Sequence, residues 1–142
     1  MTTDALSPQD ALVAVMIAVA VADERMSDSE LATILGIVNH LPVFVGYDGD
    51  RIDAVSGLVG EIFDDEDGID ALVGLVAQAL PEHLCETAYA VACDVAAADG
   101  RVAMTELKLL EILRHDLRVG RLAAAAIERG ARARYQRIQP RI

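Results

Sequence analysis

The sequence predicts an all-α fold, a bundle-like domain of about seven helices. Three observations predict it. The chain is 54% hydrophobic but only 4% aromatic, with no Trp. Its core must therefore be built from Ala, Val, Leu and Ile packed closely, which favours helix against helix; β-rich domains carry more aromatics and Thr. Helix punctuation recurs along the chain, and no stretch shows the strict apolar–polar alternation of a half-buried strand. A length of 142 residues suits a single domain, 1–142.

The elements follow in order. Ser7-Pro8 opens the first helix, with Pro in the first turn and Asp10 near its positive end. The run "ALVAVMIAVAVA" carries it to about Ala22. That run is too short to span a bilayer, which takes about 20 residues, so it reads as a fully buried helix. "SDSE" (Ser27 to Glu30) is a capping box that starts a second helix, ending near Asn39. "HLPVFVGYDGD" is a loop broken by Pro42, Gly46 and Gly49, with "LPVFVGY" the one place for a short extended piece. A third helix covers roughly Asp50 to Phe63, and the acidic "DDEDG" separates it from a fourth, Gly68 to Leu80. Pro81 starts a fifth that reaches Ala98; the sixth runs from Met104 to Asp116, and the last from Val119 to Arg137.

An internal repeat appears when the chain is slid against itself by 76 residues. Ala14–Leu41 then aligns without gaps to Ala90–Leu117, with ten identities. Matching Ala and Val is cheap in this composition. Matching Asp23 with Asp99, Arg25 with Arg101 and Glu30 with Glu106 is not. The expected architecture is two pseudo-symmetric three-helix halves, 8–65 and 82–138, joined by a linking helix at 66–81 and followed by a tail at 139–142.

The repeated Asp and Glu raise the question of an ion. In an EF-hand loop, Asp often holds position 5, Gly position 6, an apolar residue position 8 and Glu position 12. Asp99, Gly100, Val102 and Glu106 fall in those places. Positions 1 and 3 are Val95 and Ala97, which cannot ligate through side chains, so this is half of such a loop. The first copy gives Asp23 and Glu30. Four carboxylates, Asp23, Glu30, Asp99 and Glu106, are the candidate ligands of a divalent cation, Ca²⁺ or similar. The competing reading is structural. Asp ends a helix in an Asx turn, Gly100 suits a left-handed cap, and Glu at the third helical position favours the macrodipole. Yet Gly100 is replaced by Glu24, and Ser27 by Ala103, while Asp and Glu stay.

These two segments, "ADERMSDSEL" and "ADGRVAMTEL", resemble the tellurite-resistance TerB family and its TerB-like relatives. The resemblance spans residues 8–138, and its specific part is the two hairpins. It implies a small all-helical bacterial protein of two halves. It also implies an acidic face that binds metal ions through Asp23, Glu30, Asp99 and Glu106, and a role in stress resistance with protein partners at the membrane. The first copy departs from the family pattern at Glu24, where Gly is common.

Charge separates along the chain. Residues 1–107 carry −17 and residues 108–142 carry +6, for a net −11. The acidic body repels phosphates, which argues against nucleic-acid binding, and it suits divalent cations. The tail "RGARARYQRIQPRI" (Arg129 to Ile142) carries five Arg and is a candidate contact for anionic lipid or an acidic partner face. Cys85 and Cys93 lie eight residues apart, about 12 Å along one helix, too far for a disulfide. They read as small buried hydrophobes in a reducing cytosol. The acidic start "MTTDALSPQD" does not look like an export signal. His40, and His83 with Cys85 and Glu86, lack a zinc spacing; His115 beside Asp116 reads as a helix end. No GxSxG, P-loop or GxGxxG occurs, and no organic cofactor or small-molecule substrate is indicated. The expectation is a non-enzymatic, cytoplasmic protein, peripheral at the inner face of the membrane, that binds a divalent ion weakly and docks protein partners. The alternative is an interaction domain that works without metal.

Overall fold

The computed structural model describes residues 6–22, 25–98, 100 and 104–138. Seven α-helices occur among them: α1 (Pro8–Val21), α2 (Asp28–His40), α3 (Arg51–Phe63), α4 (Gly68–Ala79), α5 (Cys85–Ala98), α6 (Met104–Asp116) and α7 (Arg121–Arg134). No strand is found among the described residues. The "LPVFVGY" segment is not extended: Pro42–Phe44 forms a 3₁₀ turn, because Pro42 fixes φ at its start and Phe44 is drawn into the core. A second 3₁₀ turn, Glu82–Leu84, precedes α5, so Pro81 caps that turn and α5 itself begins at Cys85.

The apolar run of α1 has no polar face, and every residue from Asp10 to Ala20 is buried. A helix hydrophobic all round must sit in the middle of its domain. It packs against α2, α3, α4, α5 and α6. α5 is the second buried helix, with eight of its residues in the core. The others bury one stripe each: Glu30, Ile34 and Val38 in α2, Val55 and Val59 in α3, Leu72, Val73 and Val76 in α4, Glu106, Leu109 and Leu113 in α6. α7 lies on α5 through Ala124 and Ala131, small residues that let the two backbones approach. The neighbours recur in the same order: α1 holds α2 and α3, α5 holds α6 and α7, α2 reaches α5 and α6 reaches α1. α4 touches α1, α3 and α6.

Two turns show how the helices are joined. The tight α3–α4 connection brings Gly68 against the end of α3, where an added Cβ would stand 2.5 Å from the Ile62 carbonyl oxygen. No other residue fits there. α6 ends in a Schellman motif: the Val119 N–H donates to the Arg114 carbonyl at 3.0 Å and the Arg118 N–H to His115 at 3.1 Å. Arg118 occupies the left-handed position, φ 57°, that glycine usually fills. Val119 and Gly120 are therefore spent on the turn and the cap, and α7 starts at Arg121 rather than at Val119.

One carboxylate is carried into the core by α1. Asp10 is 3% exposed. A buried carboxylate must be compensated, and three elements do so. Arg51 at the start of α3 donates from Nε at 2.9 Å and from Nη2 at 2.5 Å. The Tyr47 hydroxyl donates at 2.9 Å. Ser7 Oγ accepts from the Asp10 amide at 3.0 Å and caps α1. Beside it, Gln9 Nε2 donates to the carbonyls of Val43 and Val45, which fixes the 3₁₀ turn against α1. The Arg51 side chain holds the Asp10 carboxyl below its ordinary pKa, against the opposing effect of burial, with Tyr47 adding to the lowering.

Tyr47→Phe keeps the edge-on contact with Phe44 and removes one hydrogen bond to a charged group. It is expected to cost about 1.5–2 kcal/mol, measured by urea unfolding at neutral pH. Because the folded pKa of Asp10 is depressed, its contribution is complete above the unfolded carboxylate range and is lost as pH falls through the folded value. Acid unfolding of Asp10→Asn should therefore show a shallower loss of stability below pH ~4 than the parent chain. Parallel acid limbs for the two proteins would show that Asp10 is not held this way.

Candidate functional site

Glu30 and Glu106 occupy the same place in their helices. Each is the third residue, of α2 and of α6, and each is buried to 2% exposure. At the third position a carboxylate faces the unsatisfied N–H groups of the first turn and the positive end of the dipole. In α2 the arrangement is a complete capping box. Ser27 Oγ accepts from the Glu30 amide at 3.1 Å, and Glu30 Oε1 accepts from the Ser27 amide at 2.8 Å. In α6 the residue preceding the helix is Ala103, which has no side-chain oxygen to reciprocate. The buried glutamate thus recurs without a serine three residues before it.

The other two candidate ligands, Asp23 and Asp99, lie outside the described residues. Among the described residues, no three His, Cys, Asp or Glu side chains gather as a metal cluster. Gly100, next to Asp99, adopts φ 73° and donates its amide to the Ala97 carbonyl at 3.1 Å, ending α5 in the left-handed cap its sequence suggests. The acidic "DDEDG" is a surface turn: Asp64, Asp65, Glu66 and Asp67 are exposed. His40 Nδ1 lies 2.8 Å from the Gly36 carbonyl oxygen of its own helix, and His115 pairs with Asp116 at the exposed end of α6. Of the two cysteines only Cys93 is fully buried; Cys85 is partly open.

The family model described as "Tellurite resistance protein TerB" matches residues 9–129. The chain belongs to the TerB family. The matched span takes in α1 through most of α7 and both copies of the repeat. Comparison with curated proteins and with solved structures finds no match. No helix among the described residues of this TerB-family chain is long and apolar enough to cross a membrane.

A second constellation was not legible in the sequence. α5, α6 and α7 enclose an open groove of about 540 Å³ that Tyr89, Cys93, Leu110, Glu128 and Tyr135 help to line. The Tyr89 hydroxyl donates to Glu128 at 2.6 Å. Burial, reinforced by that bond, raises the Tyr89 pKa. Burial likewise pushes the Cys93 thiol up to about 12, so it is protonated at neutral pH. The Arg-rich end of the chain is folded onto the same helix. Arg134 pairs with Asp94, and Arg137 Nη2 donates to the Ala98 carbonyl at 3.1 Å. Nothing in the local sequence named these pairings, which join residues about 40 positions apart.

The capping box gives a direct test of how Glu30 is positioned. Ser27→Ala removes the acceptor for the Glu30 amide and is expected to cost about 1 kcal/mol. Ala103→Ser, at the equivalent place before α6, should stabilise the chain by a similar or smaller amount. Differential scanning calorimetry of the two variants reads both. A neutral Ser27→Ala would mean that Glu30 is held by other contacts.

Proposed function

We propose that this TerB-family chain is a non-enzymatic, tellurite-resistance-type stress-response module in the bacterial cytoplasm. It binds a divalent cation weakly through Asp23, Glu30, Asp99 and Glu106, and it docks protein partners at the inner face of the membrane. The observation that supports the ion is the pair of buried glutamates at the third position of α2 and α6. Burying an ionised carboxylate is costly, and the chain does so at the same place in both copies of the repeat. Carboxylate oxygens are hard donors and suit Ca²⁺ or Mg²⁺ rather than soft metals. Each half offers two carboxylates, fewer oxygens than Ca²⁺ prefers, so water completes the shell and affinity is low, about 10⁻⁴–10⁻³ M. The bound ion would neutralise charge on a body of −17 and so prepare an acidic face for a partner.

The metal-free interaction domain is the second reading. It is favoured by the capping box, which accounts for Glu30 without an ion. Glutamine is accepted in a capping box, and this separates the two readings. Calorimetric titration with Ca²⁺, Mg²⁺ and Mn²⁺ should show Glu30→Gln and the double change Asp99→Asn with Glu106→Gln each weakening binding at least ~10-fold. Melting temperatures in chelator should barely move, since the dipole contribution at stake is about 1 kcal/mol or less. Unchanged titrations with unchanged melting would assign these residues to the turns alone.

A further inference from the structure

We propose that Arg134 and Arg137 form a latch that pins one wall of the groove between α5, α6 and α7 and keeps Cys93 covered. The two anchor points, Asp94 and Ala98, are four residues apart and so lie on one face of α5. Arg134 is the last residue of α7, and the chain leaves the helix at Tyr135. Arg137 can then turn back to the end of α5, where it satisfies a carbonyl that the helix itself leaves without an amide. Between the anchors stand Tyr135 and Gln136, both part of the groove wall. They cannot swing away while both arginines hold.

Further details fit a device that opens without unfolding the core. α7 packs chiefly on α5, and only two of its residues, Ala124 and Ala131, are fully buried. Arg134 and Arg137 are exposed on one side, so each contact alone is weak. Elements held this way sit at the low-stability end of a fold. Arg134 also lies back over Gly130 of its own helix, where an added Cβ would stand 3.2 Å from its guanidinium nitrogen. A larger residue at 130 would push the guanidinium off its course. The latch is no part of the repeat: the positions 76 residues earlier are Leu58 and Glu61. Cys93 lies just inside it, close enough to Asp94 and Arg134 to feel both charges.

The thiol supplies the readout. In the full chain carrying Cys85→Ser, the rate of Cys93 alkylation by N-ethylmaleimide is measured at pH 8. The uncharged reagent keeps salt from altering its approach. Arg134→Gln with Arg137→Gln should raise the rate at least ~10-fold, because release of the groove wall uncovers the thiol to the reagent. Salt at 1 M, where charges are screened within about 3 Å, should raise the rate of the unmodified latch in the same direction. Arg134→Lys with Arg137→Lys should stay near the parent. Hydrogen exchange should show lost protection confined to the last turns of α7. An unchanged alkylation rate in the Gln variant overturns the latch. So does a faster rate accompanied by equal loss of protection in α1, since Cys93 would then be reached by global unfolding.

Discussion

Everything in this molecule is arranged around a helix with no polar side. α1 buries eleven consecutive residues, and burial on every face requires neighbours on every face. Five helices supply them, α2 through α6. α5 is itself largely buried, and the other four each contribute one apolar stripe and leave their remaining surface to solvent, which is where the chain's acidic residues can be accommodated. The choice of Ala, Val and Leu over aromatics follows from the same constraint, since small aliphatic side chains let several helix axes approach one central helix.

The same constraint explains the costliest feature of the core. The first turn of α1 carries Asp10 inside with the rest of the helix, and the fold answers with Arg51, Tyr47 and Ser7. These contacts fasten the 42–51 segment and the start of α3 to α1. A buried ion pair adds little net stability compared with apolar residues of the same size, but it penalises any packing that separates its members. Its consequence here is register: α3 can meet α1 only where Arg51 meets Asp10. Glu30 and Glu106 pose the same electrostatic problem at the outer ring. In α2 the helix end answers it with a capping box, in which the Ser27 amide donates to the Glu30 carboxylate.

The second half also differs from the first at its outer edge. Part of the basic C-terminal stretch is engaged with the fold. Arg134 and Arg137 are engaged with α5, so part of the +6 of residues 108–142 neutralises the chain's own carboxylate and helix end. Arg121, Arg129 and Arg132 of α7 are also exposed, and Arg132 is among the residues that line the groove.

How much of this was written in the sequence can be read from particular residues. Local chemistry determined the helices and most of their ends. Ser7-Pro8, the Ser27–Glu30 box and Gly100 act within one turn of themselves, and such signals survive without knowledge of the fold. The all-apolar run determined that α1 is central, and the repeat picked out Glu30 and Glu106 before their burial was known. Tertiary structure decided the rest. Arg118 takes a glycine's place because the turn into α7 demands a left-handed residue there, and no composition rule marks an arginine for it. Asp10 reads locally as a residue favouring a helix dipole; only the approach of α3 makes it one end of a buried ion pair. Tyr89 with Glu128, Asp94 with Arg134 and Ala98 with Arg137 are each joined across about 40 residues of chain. Contacts at that separation depend on how α7 is laid against α5, and helical periodicity specifies which face of a helix is apolar but not which helix it will meet.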